Sequence, residues 1–278
     1  MSPCAIVNAG PGAWAFEEIA GRLSRVLWLE VASEPAERSY LLGWDDPDPP
    51  ETELFIPFQA VVLASDKRLQ AELFRRHGIA CPRTELLPSP AEVERFLRRE
   101  TGSPWVLKYP TGCGASGHRL IGAGDPVPAD WPRPYVLQEL VRMERPEVYR
   151  QYGAGGETFG WNVRRFPAGA RPSPWVAHAR GARYELPGDA PPEAEELARQ
   201  TLQAAGLLDS FGCVDLLRNE AGRWLVLEVG TDGVFNHVDR DLGLPREEAE
   251  LDQRLAEAFW SGSSRKPWGS GPYRPRAA

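Results

Sequence analysis

Apolar residues along this chain fall into two rhythms, short unbroken runs and helical faces. Over residues 1–64 the order is run, helix, run. A strand is predicted over 5–8, a helix over 16–23, a second strand over 26–31 and a third over 61–64. Strand, helix, strand is the signature of a parallel sheet. Leu69, Leu73 and Phe74 then line one face of a helix predicted over 65–77 and stopped by Gly78. Ser89-Pro90-Ala91-Glu92 is a capping box with proline at N1, and the helix it opens turns Val93, Phe96 and Leu97 inward. Strands are predicted over 104–108 and 135–141, and a strand pair turns at Gly155-Gly156. Helices follow over 193–205 and 247–260. The fold class is α/β (α+β), with no internal repeat.

Two carboxylates sit in the last pair of apolar runs. Asp215 lies in Gly212-Cys213-Val214-Asp215-Leu216-Leu217, and Glu228 in Trp224-Leu225-Val226-Leu227-Glu228-Val229. Between them Arg218-Asn219-Glu220-Ala221-Gly222 reads as a hairpin turn. A four-residue loop over 220–223 makes Asn219 face Trp224 and, in the same register, Asp215 face Glu228. Opposed residues on antiparallel strands lie about 5 Å apart on one face. Like charges that close repel unless a cation or shared proton separates them. A metal site is one reading, and a solvated sheet edge is the other.

Composition narrows the field little. Four scattered cysteines with no C-x-x-C spacing argue against a disulfide framework and a zinc cluster, and fit a reducing, cytoplasmic setting. The N-terminal segment lacks a basic signal-peptide region, and no apolar run nears the roughly 18 residues of a membrane span. A net charge of −7 speaks against a nucleic-acid partner held by its phosphates. The last residues, 261–278, form a basic tail expected to be disordered. Ala9-Gly10-Pro11-Gly12 follows the first strand, but the third glycine of a dinucleotide fingerprint is replaced by Ala15, so an ordinary tight turn is the reading taken.

Three further segments carry candidate chemistry. Lys108 ends an apolar strand and is followed by Gly112, Gly114, Ser116 and Gly117 among small residues. Such a loop exposes backbone N–H groups to phosphate oxygens, and the lysine adds a fixed charge. It is not a Walker A loop, and a Gly-rich turn with a solvated lysine is the bland alternative. Gln138-Glu139-Leu140-Val141 ends a strand whose backbone can meet a flat heterocycle, and Glu147 follows as a candidate acceptor for ribose hydroxyls. Arg150, Arg164 and Arg165 flank the Gly155-Gly156 strand pair and suit bidentate binding of carboxylate or phosphate.

In this order the segments resemble the ATP-grasp superfamily, which includes the carboxylate–amine ligases that modify ribosomal protein S6 and D-alanine–D-alanine ligase. The resemblance covers roughly residues 64–260. Ser65-Asp66-Lys67 with Gly78-Ile79-Ala80-Cys81-Pro82-Arg83-Thr84 is similar to the family's entry motif. The resemblance implies that Lys67 and Lys108 neutralise phosphates, Gly112 to Gly117 close over them, Glu139 and Leu140 frame adenine, and Glu147 binds ribose. It implies Mg²⁺, with Mn²⁺ as an alternative, on Asp215 and Glu228. Family members carry Glu-x-Asn here; this chain has Gly230 at the Asn position, leaving Asp232 or Asn236 as the third ligand, or a single well-bound Mg²⁺. The implied division is an N-terminal α/β (pre-ATP-grasp) domain over 1–64, a lid-bearing subdomain over 65–145 and a metal-bearing subdomain over 146–260. The implied reaction activates a small-molecule or peptide carboxylate with ATP and joins it to an amine. Nucleotide binding without ligase activity and an ATP-grasp kinase are the alternatives, and a homodimer is allowed.

Overall fold

The computed structural model describes residues 4–9, 14–44, 48–100, 102, 104–111, 114–115, 117–170, 173–231, 233, 241 and 246–261. They form three sheets. The first is parallel, in the order β2-β1-β3-β4, from β1 (Cys4–Asn8), β2 (Val31–Ala32), β3 (Arg38–Leu42) and β4 (Glu53–Leu54). Helix α1 (Trp14–Leu27) buries Ile19, Ala20, Leu23, Val26 and Leu27. That spacing corrects the expected strand over 26–31. Val26 and Leu27 continue the helical face begun at Ile19, and only Val31 and Ala32 pair with β1. The expected strand over 61–64 is also helical, inside α2 (Phe58–Ser65). An apolar run of this length has no period of its own and fits a strand or a buried helix equally.

Asp66 alone separates α2 from α3 (Lys67–His77). It is extended, and its carboxylate accepts the Arg68 amide at 2.8 Å, which caps α3 and makes Lys67 its first residue. Gly78, at φ 65°, ends the helix where the sequence places the stop.

The second sheet is antiparallel, in the order β5-β8-β6-β7, from β5 (Thr84–Leu87), β6 (Trp105–Lys108), β7 (His118–Ile121) and β8 (Tyr135–Glu139). Helix α4 (Pro90–Arg99) packs Val93, Phe96 and Leu97 against Trp105, Leu107 and Leu137. The Ser89 hydroxyl accepts the Glu92 amide at 3.3 Å.

The third sheet is antiparallel, in the order β11-β10-β9-β12-β13. Its strands are β9 (Glu147–Ala154), β10 (Glu157–Arg165), β11 (Arg183–Glu185), β12 (Phe211–Arg218) and β13 (Trp224–Gly230). Helices α5 (Pro192–Ala204) and α6 (Arg246–Ser261) bury Leu202, Leu251, Leu255 and Phe259 in the core it shares. Gly153 and Gly212 face each other across β9 and β12. A Cβ would stand 2.6 Å from Leu202 at the first and 2.9 Å from Leu207 at the second. Gly212→Val is therefore expected to cost about 1–3 kcal/mol by overpacking. A urea midpoint equal to that of the parent would refute this.

Asp215 does face Glu228, though by a route the sequence does not predict. Arg218, not Asn219, faces Trp224, so the turn holds one residue more than expected. A β-bulge then shifts the register between Asp215 and Leu216, because Leu216 faces Val226 and Leu227 is extra. The two offsets cancel at the carboxylates.

The outer edge of β13 is closed by the segment around α3. Gln70 accepts the Val229 amide at 3.1 Å and donates to the Ala64 carbonyl at 2.8 Å. The Val226 amide donates to the Ala80 carbonyl at 2.8 Å. These bonds satisfy an edge that would otherwise be open, and they fix α3 beside the strand that carries Glu228. Among the described residues no helix is long and apolar enough to cross a membrane.

Candidate active site

Lys108 ends β6, and the chain returns as β7 with His118 directly opposite it. Between them the Tyr109 amide donates to the Gly117 carbonyl at 3.0 Å, which pinches the base of the glycine loop. Gly117 has φ 71°, and a Cβ there would stand 2.7 Å from the Tyr109 Cβ, so this position requires glycine. Gly114 lies near Ala179, and Arg180 Nη2 reaches the Ala115 carbonyl at 3.5 Å. Gly112 and Ser116 lie outside the described residues. Lys67 joins this group through its backbone, since its amide donates to the Pro110 carbonyl at 3.0 Å.

The charges from the two antiparallel sheets act on one another. Burial holds the Lys108 ammonium at about 8, against the pull of Glu228 and aided by the repulsion of Lys67. Burial, then the cations Lys108, Lys67 and Arg180, push His118 down to about 3. Its ring meets Trp175 edge-on at 5.2 Å. Because the folded value lies below the ordinary 6.5, the unfolded chain binds the proton first as pH falls. The stability linked to His118 is therefore whole above 6.5 and is lost as pH drops toward 3.

On the third sheet, Asp215 is 3% exposed and faces Arg150 on β9 as well as Glu228 on β13. Arg150 Nε donates to Asp215 Oδ1 at 2.7 Å and Nη2 to Oδ2 at 3.1 Å; Arg164 Nη2 also donates to Oδ2. Burial alone would raise the Asp215 carboxyl, but Arg150 and then Arg164 outweigh it and hold it at about 2. Arg164 in turn senses Glu228 and lies over the Tyr184 ring at 5.6 Å. Asn162, opposite Arg150 and fully buried, has neither side-chain atom hydrogen-bonded.

Lys67, Lys108, Arg150, Arg164, Asp215 and Glu228 thus lie in one electrostatic neighbourhood. Glu147 and Arg165 do not share it. Side chains alternate along a strand, so Glu147 points to the face opposite Arg150, and Arg165 to the face opposite Arg164. There Glu147 accepts the Tyr149 hydroxyl at 2.5 Å and pairs with Arg165 at 3.4 Å. It borders a separate cavity of about 290 Å³ with Trp161 and Trp224. Glu147 and Arg165 are thus set apart from the clustered charges. Glu139 and Leu140 have their amides taken by the Arg83 and Pro104 carbonyls, each at 2.9 Å. They border an open concavity of about 710 Å³ with Cys81, Arg83 and Arg223, which none of the clustered charges lines.

The sequence assigns no role to His118 or to Arg180. The signal for His118 was present. A strand that ends in Lys108 and returns after a glycine loop puts its first residue beside that lysine. Arg180 carries no such signal, because its short 3₁₀ turn (His178–Arg180) reaches the loop only in three dimensions.

The donor chemistry fits a divalent cation in part. Glu228 is half-buried among cations that suit phosphate, and a hard cation takes a carboxylate together with phosphate oxygens. Asp215 already gives both oxygens to guanidinium groups. Among the described residues no set of three His, Cys, Asp or Glu side chains could hold a metal. Asp232 and Asn236 lie outside the described residues, as do 262–278 of the basic tail.

A parallel N-terminal sheet followed by two antiparallel sheets, with the lysine that precedes the glycine loop of one in the field of a carboxylate of the other, is the ATP-grasp fold, and the chain has it. It superposes on the ATP-grasp ligase PsnB in complex with a minimal precursor at a TM-score of 0.64, with 15% identity over 94% of this chain and 98% of that one. It superposes on D-alanine–D-alanine ligase from Bacillus anthracis at 0.68, with 13% identity over 93% and 95%. In sequence it is 28% identical to a probable alpha-L-glutamate ligase of Parasynechococcus marenigrum (strain WH8102) over 200 residues. That match covers 66% of this chain and 41% of the relative, less than half its length. No protein-family model matches the chain.

Proposed function

We propose that this chain is an ATP- and Mg²⁺-dependent ligase that joins a carboxylate to an amine and releases ADP and phosphate. The observation that carries this is the meeting of Lys67 and Lys108 from one side with Glu228, Arg164 and Arg150 from the other, on an ATP-grasp fold. The names of the relatives, a probable alpha-L-glutamate ligase, a D-alanine–D-alanine ligase and an ATP-grasp ligase complexed with a minimal precursor, support the same class.

In the first step a substrate carboxylate oxygen attacks the γ-phosphorus of ATP, and ADP leaves. In the second, an amine nitrogen attacks the acyl phosphate carbon, phosphate leaves with the C–O electrons, and the nitrogen loses a proton. Lys67 and Lys108 neutralise phosphate oxygens; the amides around Gly114 and Gly117 close over them and exclude water. Arg150 and Arg164 present their remaining N–H groups to the carboxylate or the acyl phosphate. A magnesium ion on Glu228 would add charge neutralisation at the phosphates. Phosphoryl transfer then depends on positioning and electrostatics more than on proton transfer. The division near residues 64 and 145 belongs to this proposal, and the three sheets support it by falling within 4–54, 84–139 and 147–230.

ADP release measured over panels of carboxylate and amine pairs tests the activity. Magnesium-dependent ATP binding with no turnover on any pair would favour the alternative, a nucleotide-binding protein, for which the glycine at Gly230 is the motivating observation. A stable phosphorylated product formed without any amine would favour a kinase. His118 supplies an independent check. Its imidazole NMR resonances should not titrate where an ordinary histidine does. Adding a non-hydrolysable ATP analogue should raise its pKa, because the phosphates offset Lys108, Lys67 and Arg180. An unchanged titration with analogue bound would place the phosphates elsewhere.

A further inference from the structure

The two opposed carboxylates are not equivalent. Asp215 is sealed from solvent and spends its acceptor capacity on arginine. Oδ1 takes Arg150 Nε, and Oδ2 takes Arg150 Nη2 and Arg164 Nη2. A carboxylate has about four lone-pair sites, so little remains for a metal. Arginine does not deprotonate in a protein, so a dication at Asp215 would stand beside two permanent positive charges and repel both. Glu228 sits one strand further out, half-buried, within the field of Lys108 and of Arg164. Two residues on, Gly230 contributes no side-chain donor.

We propose that Asp215 is a positioning residue that holds Arg150 and Arg164, not a metal ligand, and that the chain binds one divalent cation per nucleotide through Glu228 and phosphate oxygens. This deepens the ligase reading and rests on it. Asp215 fixes one edge of each guanidinium and leaves the others for an anion. Each arginine has five N–H donors. Arg150 commits two groups, Nε and Nη2, to Asp215, and Arg164 commits Nη2. Arg164 Nε is buried with no hydrogen-bond partner. The fixed guanidinium groups supply beside the phosphates the positive charge that a cation on Asp215 would otherwise bring.

The test is an electron paramagnetic resonance titration of the full chain with Mn²⁺ at saturating non-hydrolysable ATP analogue, with the melting temperature recorded in parallel. Wild type should bind one Mn²⁺ per bound nucleotide, and Glu228→Gln should lose it from the protein–nucleotide complex. Asp215→Asn should keep one Mn²⁺ while its melting temperature falls, since the change disturbs the arginine clamp. Arg164→Gln removes one of the two donors on Asp215 Oδ2 and one of its two neighbouring positive charges, and should raise the count from one to two. Should Asp215→Asn fail to fold, the wild-type count and Arg164→Gln decide the matter. Two Mn²⁺ per nucleotide in wild type would overturn the proposal while leaving the ligase reading intact. So would loss of Mn²⁺ in Asp215→Asn at an unchanged melting temperature. Absence of nucleotide binding, with or without Mn²⁺, would overturn the ligase reading and this proposal together.

Discussion

Lys108→Met is expected to lower kcat/KM for ADP release by about 10²–10³-fold, the usual cost of removing one preorganised charge-stabilising group. The ammonium lies within the fields of Glu228 and Lys67 at the end of a buried strand, next to the loop pinched at Tyr109 and Gly117. Methionine keeps the stem packed and removes only the charge, so the loss reports electrostatics rather than folding. The pH dependence gives a second readout. Burial holds Lys108 at about 8, so in the nucleotide-free protein it loses its proton as pH rises through that value. Affinity for the triphosphate should weaken over the same range in wild type and not in the variant. Linkage runs the other way for stability. The folded value lies below the ordinary 10.5, so between about 8 and 10.5 the unfolded chain holds more protons and stability rises with pH. Lys108→Met removes that slope. A variant whose nucleotide affinity and pH profile match wild type would show that the phosphates bind elsewhere.

What could be read in the sequence was local. The Ser89 cap, the Gly78 stop, the lysine before the glycine loop and the hairpin around Asn219 each depend on neighbours a few residues apart, and each is present. The fold class follows from their order. The errors have two physical sources. Short apolar runs carry no period, so residues 26–27 and 61–64 fit a strand in sequence and are helical in the structure. The second source is face. Glu147, Arg150, Arg164 and Arg165 were grouped as candidates because they lie close in sequence. Strand alternation divides them into two sets, one at Asp215 and one at Tyr149 and Glu185. That division was available from the period of two alone. The partners of Asp215 were not, since β9 and β12 pair across more than sixty residues and nothing local marks which strands adjoin. Likewise, the bond from the Val229 amide to Gln70, which fixes α3 against the strand that carries Glu228, spans 159 residues.

Asp215→Ala is expected to destabilise the fold by about 3–5 kcal/mol, the range for removing one partner of a buried ion pair. For a chain of this size that is a fall in melting temperature of roughly 10 °C. The cause is not lost attraction alone. Arg150 and Arg164 have side chains only 10% and 11% exposed, and without Asp215 they become two buried charges deprived of their shared anion. Two comparisons separate this from a simple cavity. The first is acidity. Asp215 is held at about 2, below the ordinary 3.8, so its contribution is whole above 3.8 and disappears as pH falls through 2. The gap between wild type and variant should therefore narrow in acid. The second is a double variant. Adding Arg164→Met to Asp215→Ala removes one of the stranded charges and should recover part of the stability lost. A wholly additive double variant would mean that the arginines do not depend on Asp215, and the central carboxylate would then need another explanation for its burial.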